Sequence, residues 1–155
     1  MFNIFKRKID NNIYTPVKGT CIDISDVKDQ AFASGAMGDG VAIVPAEDVI
    51  KAPCDGTISM LFHTGHAFGL EANNGAEILV HIGIETVNLN GSGFMPLVQQ
   101  GQQVKAGEAI IQIDLDKIKA EYDPTTILII TNQKPIKKTV TPRDVIDGEV
   151  ILEVE

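Results

Sequence analysis

Two of the chain's three histidines, His66 and His81, lie on either side of Asn74-Gly75, the dipeptide that most strongly signals a tight hairpin turn. The third, His63, stands three positions before His66. An imidazole changes charge near neutral pH, and its neutral form offers one nitrogen as nucleophile or metal ligand and the other as an N–H donor. Two such rings side by side resist double protonation. At least one is then neutral near pH 7, the state that a nucleophile or a metal ligand requires.

Whether the rings meet depends on the strands beside the turn. Over 76–84, Ile78, Val80, Ile82 and Ile84 alternate with Glu77, Leu79, His81 and Gly83, so the isoleucine side faces a core and His81 faces away from it. A two-residue turn at Asn74-Gly75 places Phe68 opposite His81 and His66 opposite Gly83, all on the non-core face. His66 and His81 are then diagonal neighbours, roughly 7–8 Å apart at the backbone, and their rings can lean together. A three-residue loop would slip the register by one and send them to opposite faces. Gly83 leaves backbone accessible beside His81, and Thr64 adds a hydroxyl.

Phosphoryl transfer suits this set, because it needs an in-line nucleophile and donors for the charge on the equatorial oxygens. A ring nitrogen of His81 attacks, an N–H of His66 donates to the phosphoryl oxygens, and the Thr64 hydroxyl fixes a tautomer or donates as well. A phosphohistidine donor would need no Mg²⁺. The chain has no glycine-rich loop ending in Gly-Lys-Ser/Thr; Gly38-Asp39-Gly40 and Gly91-Ser92-Gly93 read as turns. Zinc hydrolysis is the competing chemistry, with two or all three of the histidines and Glu85 as ligands around an open water position. His81 and Glu85, four apart, suit a helix better than the strand expected there.

The elements that must position these residues are β-strands. Short runs rich in Ile, Val, Leu and Thr, separated by Gly, Pro and Asn turns, predict strands at 41–44, 57–62, 66–72, 76–84, 109–114, 127–131 and 149–154. Helix is expected only near 94–100 and 115–121. The fold class is therefore all-β, an antiparallel sandwich or barrel with one or two short helical turns. Pro16-Val17-Lys18-Gly19-Thr20 returns as Pro53-Cys54-Asp55-Gly56-Thr57, which reads as a duplicated strand-turn-strand unit. With 155 residues, 44% of them hydrophobic, one domain is expected over 15–155, preceded by a flexible or loosely packed segment at 1–14.

A net charge of −8 argues against a nucleic-acid surface and calls for a basic patch on any macromolecular partner. Cys21 and Cys54 are too few for a disulfide framework and read as reduced thiols. No run approaches the roughly 18 apolar residues of a membrane span. Met1 to Phe5 precede Lys6-Arg7-Lys8, the reverse of a signal peptide, so a cytoplasmic protein is expected, with at most weak contact of residues 1–8 with an anionic membrane surface.

His66-Ala67-Phe68-Gly69 and the run from Ile78 to Val87, with Gly38-Asp39-Gly40-Val41-Ala42-Ile43 before and Gly91-Ser92-Gly93-Phe94 after, resemble the glucose-family IIA component of the bacterial sugar phosphotransferase system. The similarity runs from about Pro16 to Val150. It implies a β-sandwich of the duplicated-hybrid type and a carrier, needing no cofactor, that takes a phosphoryl group from phospho-HPr and passes it to a cysteine of a IIB domain. By the same resemblance His81 is phosphorylated at Nε2, His66 assists, and Thr64 hydrogen-bonds the pair. Phe32, Met37, Val41, Phe62, Leu79 and Val87 would form the apolar patch that docks partners, with Glu85 where the family commonly has Asp, facing a partner arginine. A monomer suits such a shuttle. No structural metal is expected, zinc at His66 and His81 being at most adventitious. The lipoyl-carrier alternative, with Lys117 as the attachment point, places the Pro-x-x-Gly element of 53–56 on the wrong side of its lysine.

Overall fold

The computed structural model describes residues 9–155. In chain order the elements are β1 (Asn12–Tyr14), β2 (Gly19–Asp23), α1 (Gln30–Ala33), β3 (Asp39–Pro45), β4 (Val49–Lys51), β5 (Gly56–Leu61), β6 (Ala67–Ala72) and β7 (Glu77–Ile82). Then follow β8 (Phe94–Pro96), β9 (Gln103–Val104), β10 (Ala109–Ile113), α2 (Leu115–Glu121), β11 (Thr126–Ile130), β12 (Ile136–Lys138), β13 (Arg143–Val145) and β14 (Val150–Val154). Single 3₁₀ turns cover Ile24–Asp26 and Thr86–Leu89.

An eight-stranded antiparallel sheet runs β13-β2-β3-β11-β7-β6-β5-β9, and two three-stranded sheets, β4-β10-β8 and β1-β14-β12, face it. Alternation drives the layering. Ile78, Val80 and Ile82 of β7, Phe68 of β6 and Leu128 of β11 turn inward and pack with Ile50, Ile110, Ile111, Ile151 and Leu152 of the smaller sheets. Full burial of side chains of this size contributes roughly 1.5–3 kcal/mol each, which makes this layer the main source of stability. The expected all-β sandwich is the architecture observed.

The duplicated motif is visible as reciprocal hydrogen bonding. Tyr14 N donates to Pro53 O at 2.8 Å, and Lys51 N donates to Pro16 O at 2.7 Å, so the same two positions of each copy clasp the other. Each copy then starts a strand on a glycine, Gly19 for β2 and Gly56 for β5, where a Cβ would collide with a neighbouring carbonyl, of Val44 and Glu71 respectively.

Three sequence expectations change. Residues 94–96 form β8 and not the start of a helix over 94–100, because tertiary pairing with β10 (Phe94 with Ile113, Met95 with Gln112, Pro96 with Ile111) overrides the local preference. Asn12–Tyr14 pairs with β14, so ordered structure begins inside the segment assigned to 1–14; the suggested membrane contact of residues 1–8 lies outside the described residues. Ile84 leaves the core face after Gly83 and joins a second, smaller cluster. That cluster, of Ile24, Val27, Phe32, Ala42, Ile127 and Ile129, covers the outer face of β3 and β11 with the segment 24–33. Among the described residues no helix is long and apolar enough to cross a membrane.

Candidate active site

The β6–β7 loop has three residues, not two. Ala72 N donates to Ala76 O at 2.9 Å, and Gly75 N closes the turn on Ala72 O. Gly75 takes φ +91°, a conformation open to glycine at little cost. His81 is consequently paired with Ala67, a register one step from that of a two-residue turn. The slip does not separate the histidines, because His66 lies outside β6 and escapes the alternation. The chain reaches it through a turn in which Gly65, at φ +74°, donates to Phe62 O at 2.8 Å. His66 O still accepts from Ile82 N at 2.7 Å, and the ring swings over to His81. The two imidazoles stand 5.2 Å apart between centroids, at 82° to one another.

Each ring is held by one nitrogen and one aromatic neighbour. His81 Nδ1 lies 2.8 Å from Gly83 O. A carbonyl oxygen only accepts, so Nδ1 carries the proton and Nε2 keeps its lone pair. His66 Nδ1 lies 2.5 Å from the Thr64 hydroxyl. A hydroxyl that donates there leaves His66 with an Nε2–H, complementary to the bare Nε2 of His81. Phe32 packs against His81 and Phe62 against His66, each with ring centroids 5.1 Å away.

Burial sets the charge state. His66 is 4% exposed. Desolvation, aided by the nearby His81 and His63 rings, pushes its pKa down to about 4. Desolvation also lowers His81, against the opposing pull of the Gly83 carbonyl and the Asp29 carboxylate. Both rings are neutral at pH 7. The pair therefore presents a nucleophilic nitrogen next to an N–H donor in a partly apolar pocket, a competent acceptor for a phosphoryl group.

Gly83 makes this geometry available. Its φ of +85° curls the carbonyl back onto His81, and a Cβ there would collide with the Thr86 methyl. Neighbouring Glu85 also sits in the left-handed region, at φ +59°. It heads the 3₁₀ turn Thr86–Leu89, is exposed, and contributes no side-chain cap.

Around the pair, Met37, Phe62 and Val87 are exposed and Leu79 is half-buried. Val41 is fully buried in the main core, and Phe32 is 5% exposed with its ring on His81, so neither offers a docking surface. Beside Phe62 and Leu79 runs a groove that also takes in Met60 and Gly69 and is flanked by Glu71 and Glu77. Those two carboxylates are directly opposite each other across β6 and β7, an arrangement unfavourable in isolation and suited to a cation. Met60, Glu71 and Glu77 are not among the sequence-predicted residues; a three-residue turn is what pairs Glu71 with Glu77.

The rival chemistries find no matching assembly. Among the described residues no group of three or more His, Cys, Asp or Glu side chains is gathered to hold a metal. His63 is exposed. Lys117 stands on α2, not at the hairpin tip that a lipoyl carrier would need.

Three comparisons bear on this site. A model of the family described as "phosphoenolpyruvate-dependent sugar phosphotransferase system, EIIA 1" matches residues 11–136. The glucose-specific EIIA component of Bacillus cereus is 44% identical over 144 residues, covering 90% of this chain and 87% of that protein. The glucose-specific EIICBA component of Staphylococcus saprophyticus is 45% identical over 152 residues, 96% of this chain; the chain spans only 22% of that longer relative. In structure, glucose permease IIA from Mycoplasma capricolum superposes with a TM-score of 0.86 at 34% identity, covering 98% of each chain.

Proposed function

Because the chain belongs to the EIIA 1 family of the phosphoenolpyruvate-dependent sugar phosphotransferase system, a phosphotransferase subunit that serves as phosphocarrier in sugar uptake, we propose that His81 carries its phosphoryl group. The donor is phospho-HPr and the acceptor a cysteine of a sugar-specific IIB domain, with the carrier acting as a cytoplasmic monomer.

The observation that carries this assignment is the hydrogen bond from His81 Nδ1 to Gly83 O, which leaves Nε2 unprotonated. In the first step that lone pair forms a P–N bond to the phosphorus of the donor's phosphohistidine as the donor's own P–N bond breaks. The departing ring leaves as a neutral imidazole. His81 keeps its Nδ1 proton, so positive charge develops on its ring opposite the phosphoryl dianion, and Gly83 O stabilises it by a charge-assisted bond. His66 donates Nε2–H to a phosphoryl oxygen, its tautomer fixed by Thr64. In the second step a thiolate of the IIB domain attacks phosphorus and the His81 ring leaves neutral. One P–N bond replaces another in the first step, so no nucleotide or metal enters the balance.

Docking rests on the apolar groove of Met60, Phe62 and Leu79 and on the carboxylates Glu71, Glu77, Asp29 and Glu85. These favour a partner whose basic side chains ring an apolar centre. Glu85, pushed outward at φ +59°, is free to meet a partner arginine.

Incubation with phosphoenolpyruvate, enzyme I and HPr tests the assignment. Wild-type protein gains one phosphoryl group. His81→Gln gains none, while His66→Gln accepts it and passes it on slowly to a IIB domain. Normal acceptance by His81→Gln would refute the assignment.

A further inference from the structure

We infer that Thr86 is a positioning residue for phosphoryl transfer: its hydroxyl and methyl lock the 82–86 turn so that the Gly83 carbonyl stays on His81 Nδ1. The inference rests on the reading of His81 as the phosphoryl acceptor.

Thr86 has no exposed surface. Its hydroxyl donates to Ile82 O at 2.5 Å, and its methyl occupies the space that a Cβ on Gly83 would fill. These contacts hold the Ile82–Gly83 peptide and the Gly83 Cα, from which the Gly83 carbonyl projects. The backbone holds the same turn through Gly83 N, which donates to Thr125 O at 3.0 Å, and through Ile84 N, the amide of the peptide that carries the Gly83 carbonyl, which donates to Asp123 O at 2.9 Å. Thr86 thus adds a side-chain restraint on Gly83 between those two amides, in a turn with two left-handed residues, Gly83 and Glu85. Such a turn has neighbouring backbone conformations of lower strain to relax into. If it relaxed, Gly83 O would leave Nδ1, the ring would lose its tautomer bias, and the charge developing on His81 during transfer would lose its acceptor. The Thr86 hydroxyl bonds Ile82 O and not the His81 ring, so its action on that ring runs through Gly83.

The two chemical parts of the side chain separate the roles. Thr86→Val keeps the methyl and removes the donor; Thr86→Ser keeps the donor. In the resting protein, ¹⁵N NMR of the His81 ring reads the tautomer directly. Wild type and Thr86→Ser show widely separated Nδ1 and Nε2 shifts, and in Thr86→Val the two move toward each other. With phospho-HPr as donor, Thr86→Val loses about tenfold or more in kcat with KM unchanged, within the roughly hundredfold that a misplacement of about 1 Å can cost. Thr86→Ser restores most of the rate. A folded Thr86→Val with native ring shifts and native kcat overturns the inference. If Thr86→Val does not fold, Thr86→Cys, with its weak S–H donor, gives the same comparison. The ring shifts are measured without any phosphoryl donor, so the tautomer result stands apart from the assignment of His81: a wild-type protein that takes no phosphate on His81 would sink that assignment alone.

Discussion

Lowering the pH from 7 to 5 should destabilise the protein through His66, and the size of the effect follows from its burial. The folded-state pKa is about 4, pushed down chiefly by desolvation. In the unfolded chain the ring returns to roughly 6.5. A group whose folded pKa is depressed takes up its proton in the unfolded state first, so stability falls as pH drops below about 6.5 and levels off near pH 4. Between pH 7 and pH 5 the linkage amounts to about 2 kcal/mol, a fair share of a small domain's total of roughly 5–15 kcal/mol. Urea unfolding at half-unit pH intervals, on wild type and on His66→Gln, isolates it, because the carboxylates titrate alike in both. The wild-type curve should fall about 2 kcal/mol relative to the variant across this window. Parallel curves, or a His66 titration by NMR centred near the ordinary imidazole value, would refute the account of a buried neutral ring.

Other substitutions probe the remaining supports. Glu85→Gly relieves a left-handed glutamate and should raise stability by about 0.5–1 kcal/mol in urea titrations, the scale of the Cβ penalty in that region less glycine's extra unfolded entropy. Phe32→Ala should cost roughly 3–5 kcal/mol by opening a cavity beside His81, and should raise the His81 pKa toward its ordinary value as water reaches the ring, measured by NMR titration. Val41→Ala and Phe62→Ala should divide stability from docking. The first lowers the urea midpoint and leaves KM for phospho-HPr unchanged; the second raises KM several-fold and changes stability by less than about 1 kcal/mol.

The strands that matter most were legible because their apolar periodicity is unambiguous. β7 alternates cleanly, and β11 is a short run of β-branched and leucine residues buried at every position. Alternation puts His81 on the face away from the main core, where it lies, and a second apolar cluster around Phe32 and Ile127, which alternation within one strand does not reveal, covers that face. What failed was local backbone geometry. Asn73-Asn74-Gly75 accommodates a two- or a three-residue turn, and the choice is made by Gly75 adopting φ +91° at the third position. The resulting slip should have parted the histidines, yet they meet, because Gly65 turns the chain just before β6 and takes His66 out of the strand. Short strands such as β1, β9 and β12 carry too few residues for a period to register, and they form because tertiary pairing supplies their hydrogen bonds. Thr86 gave no signal at all, since a buried threonine at a turn reads as packing until its hydroxyl partner is known.

The most direct test of the central claim is to locate the phosphorus. Protein labelled with ¹⁵N in its histidine rings, phosphorylated through enzyme I and HPr, should show ³¹P coupling to Nε2 of His81, with the Nδ1 proton of that ring still bonded to a carbonyl. Phosphorus on Nδ1 of His81, or on a ring nitrogen of His66 or His63, would contradict it.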